Sequence, residues 1–204
     1  MSNYLVINNH RIELTEEQVN QIIVAHNPGI PTVKLSNIEE GNTFKIGEHE
    51  FIVLEQSADT TAVILKNLLP YQRFGNTNDF NGSDVDETCM DFFDKITAII
   101  GFENVVEHTV DLTSNDGLKD YGKIKRRCSL LTTDLYRRYV ETLDQHKPDY
   151  WWWLATACTT KLHGNDSWVS CVAPSGFIDG YSRFSDGGGV RPFLILKSNI
   201  FVSK

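Results

Sequence analysis

Cysteine is scarce, and its spacing is uninformative for metal binding. Cys89, Cys128, Cys158 and Cys171 form no C-x-x-C pair, and the six histidines form no H-x-x-x-H pair. A tetrahedral zinc site needs paired ligands close in sequence, so neither a bound metal nor another cofactor is expected. Reduced, buried thiols are the ordinary state of such cysteines. Long apolar runs are also missing: the longest, around Ala62 to Leu69, is broken by Lys66 and Asn67. A membrane-spanning helix needs roughly 18 apolar residues, so none is expected. Met1-Ser2-Asn3-Tyr4 lacks the basic start and apolar stretch of a secretory signal. The expected address is therefore the host cytosol, or a virion assembled there.

Positive charge is in deficit, with 19 Lys and Arg against 27 Asp and Glu and a formal net charge of −8. Binding to a phosphate backbone requires a basic face, so direct nucleic-acid binding is not expected. An acidic surface suits a basic protein partner instead. Nucleophile motifs are missing as well. No G-x-S-x-G elbow is present. Gly187-Gly188-Gly189 lacks the G-K-[ST] ending of a phosphate loop and opens no helix, so it reads as a close backbone approach. The chain is expected not to be an enzyme.

What is present is enough to build a core. Of 204 residues, 41% are apolar and 11% aromatic, which suits one domain with a small appendage. The appendage spans residues 1–32. Tyr4-Leu5-Val6-Ile7 and Arg11-Ile12-Glu13-Leu14 flank Asn8-Asn9-His10 as a hairpin. Thr15-Glu16-Glu17-Gln18 is a capping box that predicts a helix from Glu16, with Val19, Ile22, Ile23 and His26 as one stripe. Asn27-Pro28-Gly29-Ile30-Pro31 reads as a linker. So small a unit cannot bury its own stripe, which must cover the main body or mediate homo-oligomer formation.

The main unit, residues 33–204, alternates strands and helices. Thr43–Ile46 and Glu50–Glu55 bracket Gly47-Glu48-His49 as a hairpin, and Thr60–Leu65 continues the meander. Ser83-Asp84-Val85-Asp86 predicts a helix cap, followed by Cys89, Met90, Phe93, Ile96 and Ile100 on the buried face and a stop at Gly101. Val105–Leu112 reads as a strand and Ser114-Asn115-Asp116-Gly117 as a turn. Thr132-Thr133-Asp134 opens a third helix, with Leu135, Tyr136, Tyr139 and Leu143 inward.

In the last quarter, Trp151-Trp152-Trp153-Leu154 reads as a strand too aromatic to be exposed. Alternation puts Trp152 on the face opposite Trp151 and Trp153. A symmetric turn between Gly164 and Asn165 would set Cys158 opposite Cys171.

Three motifs together carry a resemblance: Trp152-Trp153-Leu154, Ser175-Gly176-Phe177-Ile178, and Gly189-Val190-Arg191-Pro192-Phe193-Leu194-Ile195-Leu196. With Phe51–Glu55, Asn81-Gly82-Ser83-Asp84 and Ser129–Thr133, they resemble a family of phage and bacterial domains over about residues 40–197. That family is similar to the C-type-lectin-like superfamily, which includes formylglycine-generating enzymes and retroelement variable proteins. The resemblance implies an α+β fold of antiparallel strands with two helices, and a buried, structural Arg191. The sugar-site tripeptides E-P-N and Q-P-D and the W-N-D of calcium-dependent lectins are missing, and the catalytic cysteine pair has no counterpart.

The loops between the last strands mix aromatic, amide and charged residues without regularity, as adaptable recognition surfaces do. His163, Asn165, Asp166, Tyr181, Arg183, Phe184 and Asp186 are therefore the candidate binding residues. Asp79, Asp84, Asp86 and Glu87 form a second, acidic candidate surface, in a spacing that fits no EF-hand. The functional expectation is a non-catalytic phage-type accessory protein that binds another macromolecule, a protein by preference, through the C-terminal loops, the acidic loop or both, with an inhibitor of a host defence nuclease, such as an anti-CRISPR protein, as the named case. The alternative is a carbohydrate- or receptor-binding module of a virion.

Overall fold

The computed structural model describes residues 3–7, 10–15, 18–19, 22 and 32–204. Strands β1 (Asn3–Ile7) and β2 (His10–Leu14) pair antiparallel as a separate ribbon. The capping box then forms: Gln18 N donates to Thr15 Oγ1 at 3.2 Å, and Thr15 N donates to Gln18 Oε1 at 2.9 Å. Gln18, Val19 and Ile22 are helical. Glu16, Ile23, His26 and the expected linker lie outside the described residues.

The main unit is α+β. In chain order it contains β3 (Thr32–Lys34), β4 (Thr43–Ile46), β5 (His49–Gln56), β6 (Thr60–Leu65), β7 (Leu69–Gln72) and helix α1 (Asp84–Ile100). Next come β8 (Val105–Val106), β9 (His108–Asp111), β10 (Lys123–Arg126), β11 (Cys128–Ser129), α2 (Thr133–Arg138) and α3 (Val140–Leu143). The chain finishes with β12 (Trp152–Ala157), β13 (Trp168–Val172), β14 (Ile178–Ser182), β15 (Gly188–Val190), β16 (Phe193–Lys197) and β17 (Phe201–Ser203).

One sheet runs β11-β16-β6-β5-β4-β17-β3, with β8 beside β11 on the same edge of β16. The other runs β14-β13-β12-β15-β7, antiparallel except where β12 meets β15. Strands β9 and β10 form a ribbon of their own. Among the described residues no helix is long and apolar enough to cross a membrane.

Strict alternation along the central strands feeds two cores. Phe51 and Val53 of β5, with Val63 and Leu65 of β6, join one cluster, while Ile52, Leu54, Ala62 and Ile64 join the other. The same split divides β12: Trp153 and Ala155 go to the first cluster, Trp152 and Leu154 to the second. A period of two sends neighbouring side chains to opposite faces. A continuous apolar run in these strands therefore means burial on both faces rather than one. The first cluster is closed by α1 and the second by α2 and α3.

Helix α1 starts as its sequence requires. Ser83 Oγ accepts from Asp86 N at 3.2 Å, and Asp84, Asp86 and Glu87 lie in the first turn, where they favour the positive end of the helix dipole. Val85, Cys89, Phe92, Phe93 and Ile96 are buried. Met90, expected inside, is 44% exposed, because the buried stripe advances from Cys89 to Phe92 and leaves position 90 on the flank. Thr132 caps α2 by accepting from Leu135 N. The expected single helix breaks at Tyr139 into α2 and α3 and ends in a 3-10 turn at Asp144–His146.

One expectation for the last quarter is overturned by register. In the β12–β13 pair Trp153 faces Cys171 and Ala157 faces Val169, with an irregularity between. Cys158 therefore lies beside Trp168, whose carbonyl accepts its amide at 3.1 Å, and not opposite Cys171. The connection is asymmetric because Lys161–His163 form a 3-10 turn. All four cysteines are free thiols.

Arg191 is fully buried. Its Nε donates to Leu65 O at 2.9 Å, and its Nη2 donates to His146 O at 3.0 Å and Lys66 O at 3.3 Å. The guanidinium lies 5.1 Å from the Trp152 ring centroid. Burial lowers its pKa to about 10. Arg191→Ala removes the donor from three carbonyls and leaves a void, so the unfolding free energy should fall by about 3 kcal/mol or more. Arg191→Lys should recover only part of that loss, because an ammonium lacks the planar fork. Urea denaturation of both variants checks the order; an unchanged midpoint for Arg191→Ala contradicts it.

Candidate functional site

The edge strand β14 and the segments before β12 build a wall of rings. Tyr181 sits opposite Val169, and its ring reaches back over Trp151 at 6.0 Å and 10°, and over Trp153 at 5.9 Å and 47°. Phe177 meets Trp151 edge-on at 5.6 Å. Tyr150 stacks on Tyr71 at 4.4 Å. Gly187 connects the two groups: a Cβ there would stand 3.6 Å from the Tyr150 hydroxyl and 3.9 Å from the Tyr181 ring. Gly188 packs so closely on Trp153 that the indole occupies the space a side chain would need. Gly188 is thus required by the packing of Trp153, and Gly189 by that of Leu68. Tyr71 and Phe177 nonetheless remain 54% and 53% exposed.

Beside this wall the two surfaces expected from sequence meet. Asp186 opens on a cleft of about 550 Å³ together with Tyr71, Arg73, Asp84, Glu87 and Asp91. Asp84 is held by Arg73 Nε at 2.6 Å, while Glu87 is exposed. Arg183 joins the loops from beneath. Its Nη1 donates to Gly75 O and Asn76 O, its amide donates to Ser167 O, and its guanidinium lies 3.9 Å over Phe184 and 3.8 Å from Asp166. The arginine is therefore a tie between loops, and Phe184, 57% exposed, is the part of that pair left to solvent.

The remaining expected residues do other work. Asp86 is buried; its carboxylate accepts from Arg126 Nε at 2.9 Å and Nη2 at 2.7 Å and from Gly82 N, so it faces inward and is no surface contact. Asp79 is half-buried and accepts from Asn81 N, and burial raises its pKa. Asn165 Oδ1 accepts from Ser167 N and shapes its own turn. His163 Nδ1 lies 2.9 Å from Asp116 Oδ2. Tyr71, Tyr150, Phe177 and Asp91 were not among the expected residues. Only the exposure left over after ring pairing distinguishes them, and that depends on the tertiary fold.

The Asp116 cluster does not have the order of a nucleophile relay. Asp116 accepts from Ser114 Oγ and Thr159 Oγ1, both at 2.5 Å, and these bonds hold its carboxyl well below the usual range. In a catalytic triad the imidazole stands between hydroxyl and carboxylate. Here the carboxylate stands in the middle, so the hydroxyls are anchored and not activated. Burial pushes the Cys171 thiol up to about 12 and also raises Cys89 and Cys158, which keeps all three protonated.

No protein-family model, curated protein or solved structure matches this chain. The aromatic wall and the acidic cleft therefore carry the functional argument on their own geometry.

One buried group gives the fold a pH dependence. His108 Nε2 lies 2.9 Å from Ser129 Oγ, its ring meets Phe193 edge-on, and burial lowers its pKa from 6.5 to about 4. The unfolded chain takes up the proton first. Its contribution is therefore complete above pH 6.5 and declines as the pH falls toward 4, by about 3 kcal/mol in all. Thermal melts across that window should show a steeper fall for wild type than for His108→Phe. Parallel curves would assign the dependence to other groups.

Proposed function

We propose that this chain is a non-catalytic binding protein whose aromatic wall and adjoining acidic cleft receive another protein. The observation that carries the reading is the juxtaposition of half-exposed rings, held by contacts with one another, against Asp84, Glu87, Asp91 and Asp186. Contiguous exposed apolar surface rimmed by polar residues marks interaction sites, and tyrosine and tryptophan dominate binding hot spots. The complementary partner offers an apolar anchor flanked by Lys or Arg. A basic nuclease of a host defence system, inhibited in the cytosol in the manner of an anti-CRISPR protein, has that chemistry.

The accompanying fold reading is C-type-lectin-like over residues 33–204, with residues 1–32 appended. Its support is the β12-β13-β14 meander around Trp152-Trp153-Leu154, the return of β17 to β3, and the burial of Arg191 at the last long strand.

The test is affinity purification from infected cells with wild type, Phe177→Ala and Tyr71→Ala. Each substitution removes one ring pair at a half-exposed position, so stability should fall by no more than about 1.5 kcal/mol. The captured protein should fall at least about 30-fold, as expected for losing an anchor worth about 2 kcal/mol. Asp186→Lys should weaken capture further at low salt than at high salt. Equal recovery by wild type and both aromatic variants would sink the proposal.

A further inference from the structure

A second site lies on another flank of α1, away from the acidic cleft and independent of the proposal above. Asp84, Glu87 and Asp91 form the stripe of the helix that lines that cleft, whereas Met90 and Phe93 fall on a different stripe. There α1, the 3-10 turn at Phe102–Asn104 and the end of β10 enclose a groove of about 310 Å³. Its floor is apolar. Phe93 is buried and meets Phe102 edge-on at 5.7 Å, while Met90 and Phe102 remain 44% and 56% exposed. An unbranched thioether adapts its shape to what lies against it.

The rim carries charge of both signs. Arg126 is neutralised by the buried carboxylate of Asp86 at 2.7 Å. Arg127 donates through Nη1 to Val105 O and lies 4.4 Å over the Phe102 ring, so its guanidinium is held at the edge of the groove. Lys125 and Glu107 also line the groove, and both are exposed. Among the described residues none of Glu107, Lys125 and Arg127 is within ion-pair distance of an opposite charge. Lys125 pairs with Thr109 across the β9–β10 ribbon. Arg127, two residues on, and Glu107, two residues before Thr109, continue the same face.

The ligand that fits this groove brings an apolar body, an anion for Lys125 and Arg127, and a cation for Glu107. A fatty acid leaves Glu107 without a counter-charge, and an alkylamine leaves both cations without one. A side chain within a peptide brings neither charge. We infer that the groove binds a free apolar α-amino acid. Its side chain lies between Met90 and Phe102, its carboxylate at Lys125 and Arg127, and its ammonium at Glu107. The guanidinium fork matches a carboxylate in geometry as well as in charge. The volume stands at the small end of the roughly 300–1,000 Å³ of ligand pockets, as so small a molecule requires.

The test is a titration of the ¹⁵N-labelled full chain with L-leucine, L-methionine and L-phenylalanine, each beside its N-acetyl and amide derivatives, and with octanoate. At least one free amino acid should give saturable shifts at the amides of Met90, Phe102 and Lys125. Its N-acetyl form lacks the ammonium and its amide lacks the carboxylate, so each should bind about five-fold more weakly or worse. Glu107→Gln and Lys125→Gln lie at the exposed rim and should melt as wild type does. Glu107→Gln should bind the free and N-acetyl forms alike, and Lys125→Gln should narrow the gap between the free form and the amide. Unsaturable shifts with all three amino acids, equal binding of a derivative by wild type, tighter binding of octanoate, or unchanged dissociation constants in both variants would overturn the assignment.

Discussion

The burial of Arg191 is the constraint on which the rest of the main unit depends. A cation taken from water must be compensated, and among the described residues it is three backbone carbonyls and the Trp152 ring, rather than a carboxylate, that do so. Two of the carbonyls belong to the end of β6 and one to the turn after α3. The arginine thus holds together the first sheet, the second sheet's tryptophan strand and the helical segment on the second core. Only a planar fork reaches both segments at once. The position of His146 in turn fixes where the chain enters Tyr150 and Trp151, so the buried cation indirectly orients two rings of the exposed wall.

The second organising fact is that adjacent tryptophans serve opposite cores. Trp152 and Trp153 are both fully buried, and their indoles do not share a cluster. Trp153 satisfies its Nε1 by donating to Gln72 O at 2.9 Å, which also tethers β7. Trp152 instead lies against the guanidinium. Trp151, one residue earlier and on the Trp153 side, falls at the margin of the first core, where the rings of Tyr181 and Phe177 pack on it. The wall is what remains when a two-sided strand runs out of core.

These relations explain what could be read from the sequence and what could not. Local signals were legible: the Thr15 and Ser83 caps, the Gly47-Glu48 turn joining β4 to β5, and the opposite facing of Trp152 and Trp153 follow from rules that involve only a few residues. Helix phase was legible to within one position, which sufficed for Cys89 and Phe93 and failed for Met90. The β12–β13 register was not legible, because a 3-10 turn consumed residues asymmetrically, and the Cys158–Cys171 facing failed with it. For the site, Asp186, Tyr181 and Phe184 were recognisable by type. By contrast, the inward turn of Asp86 toward Arg126, 40 residues away in the chain, and the stacking of Tyr71 on Tyr150 are long-range events that no local pattern encodes.

Strand β12 also sets how rigid the wall is. Trp151 stands just before β12 and Thr156 near its end, about 16 Å apart at the rise of an extended chain. The strand is buried along its whole length and is bonded on both edges where Trp152 meets Val172 and Gly189, so its start cannot shift without disturbing both cores. At the wall, rings already packed on one another lose little further freedom when a partner covers them, which favours tight association from a modest area.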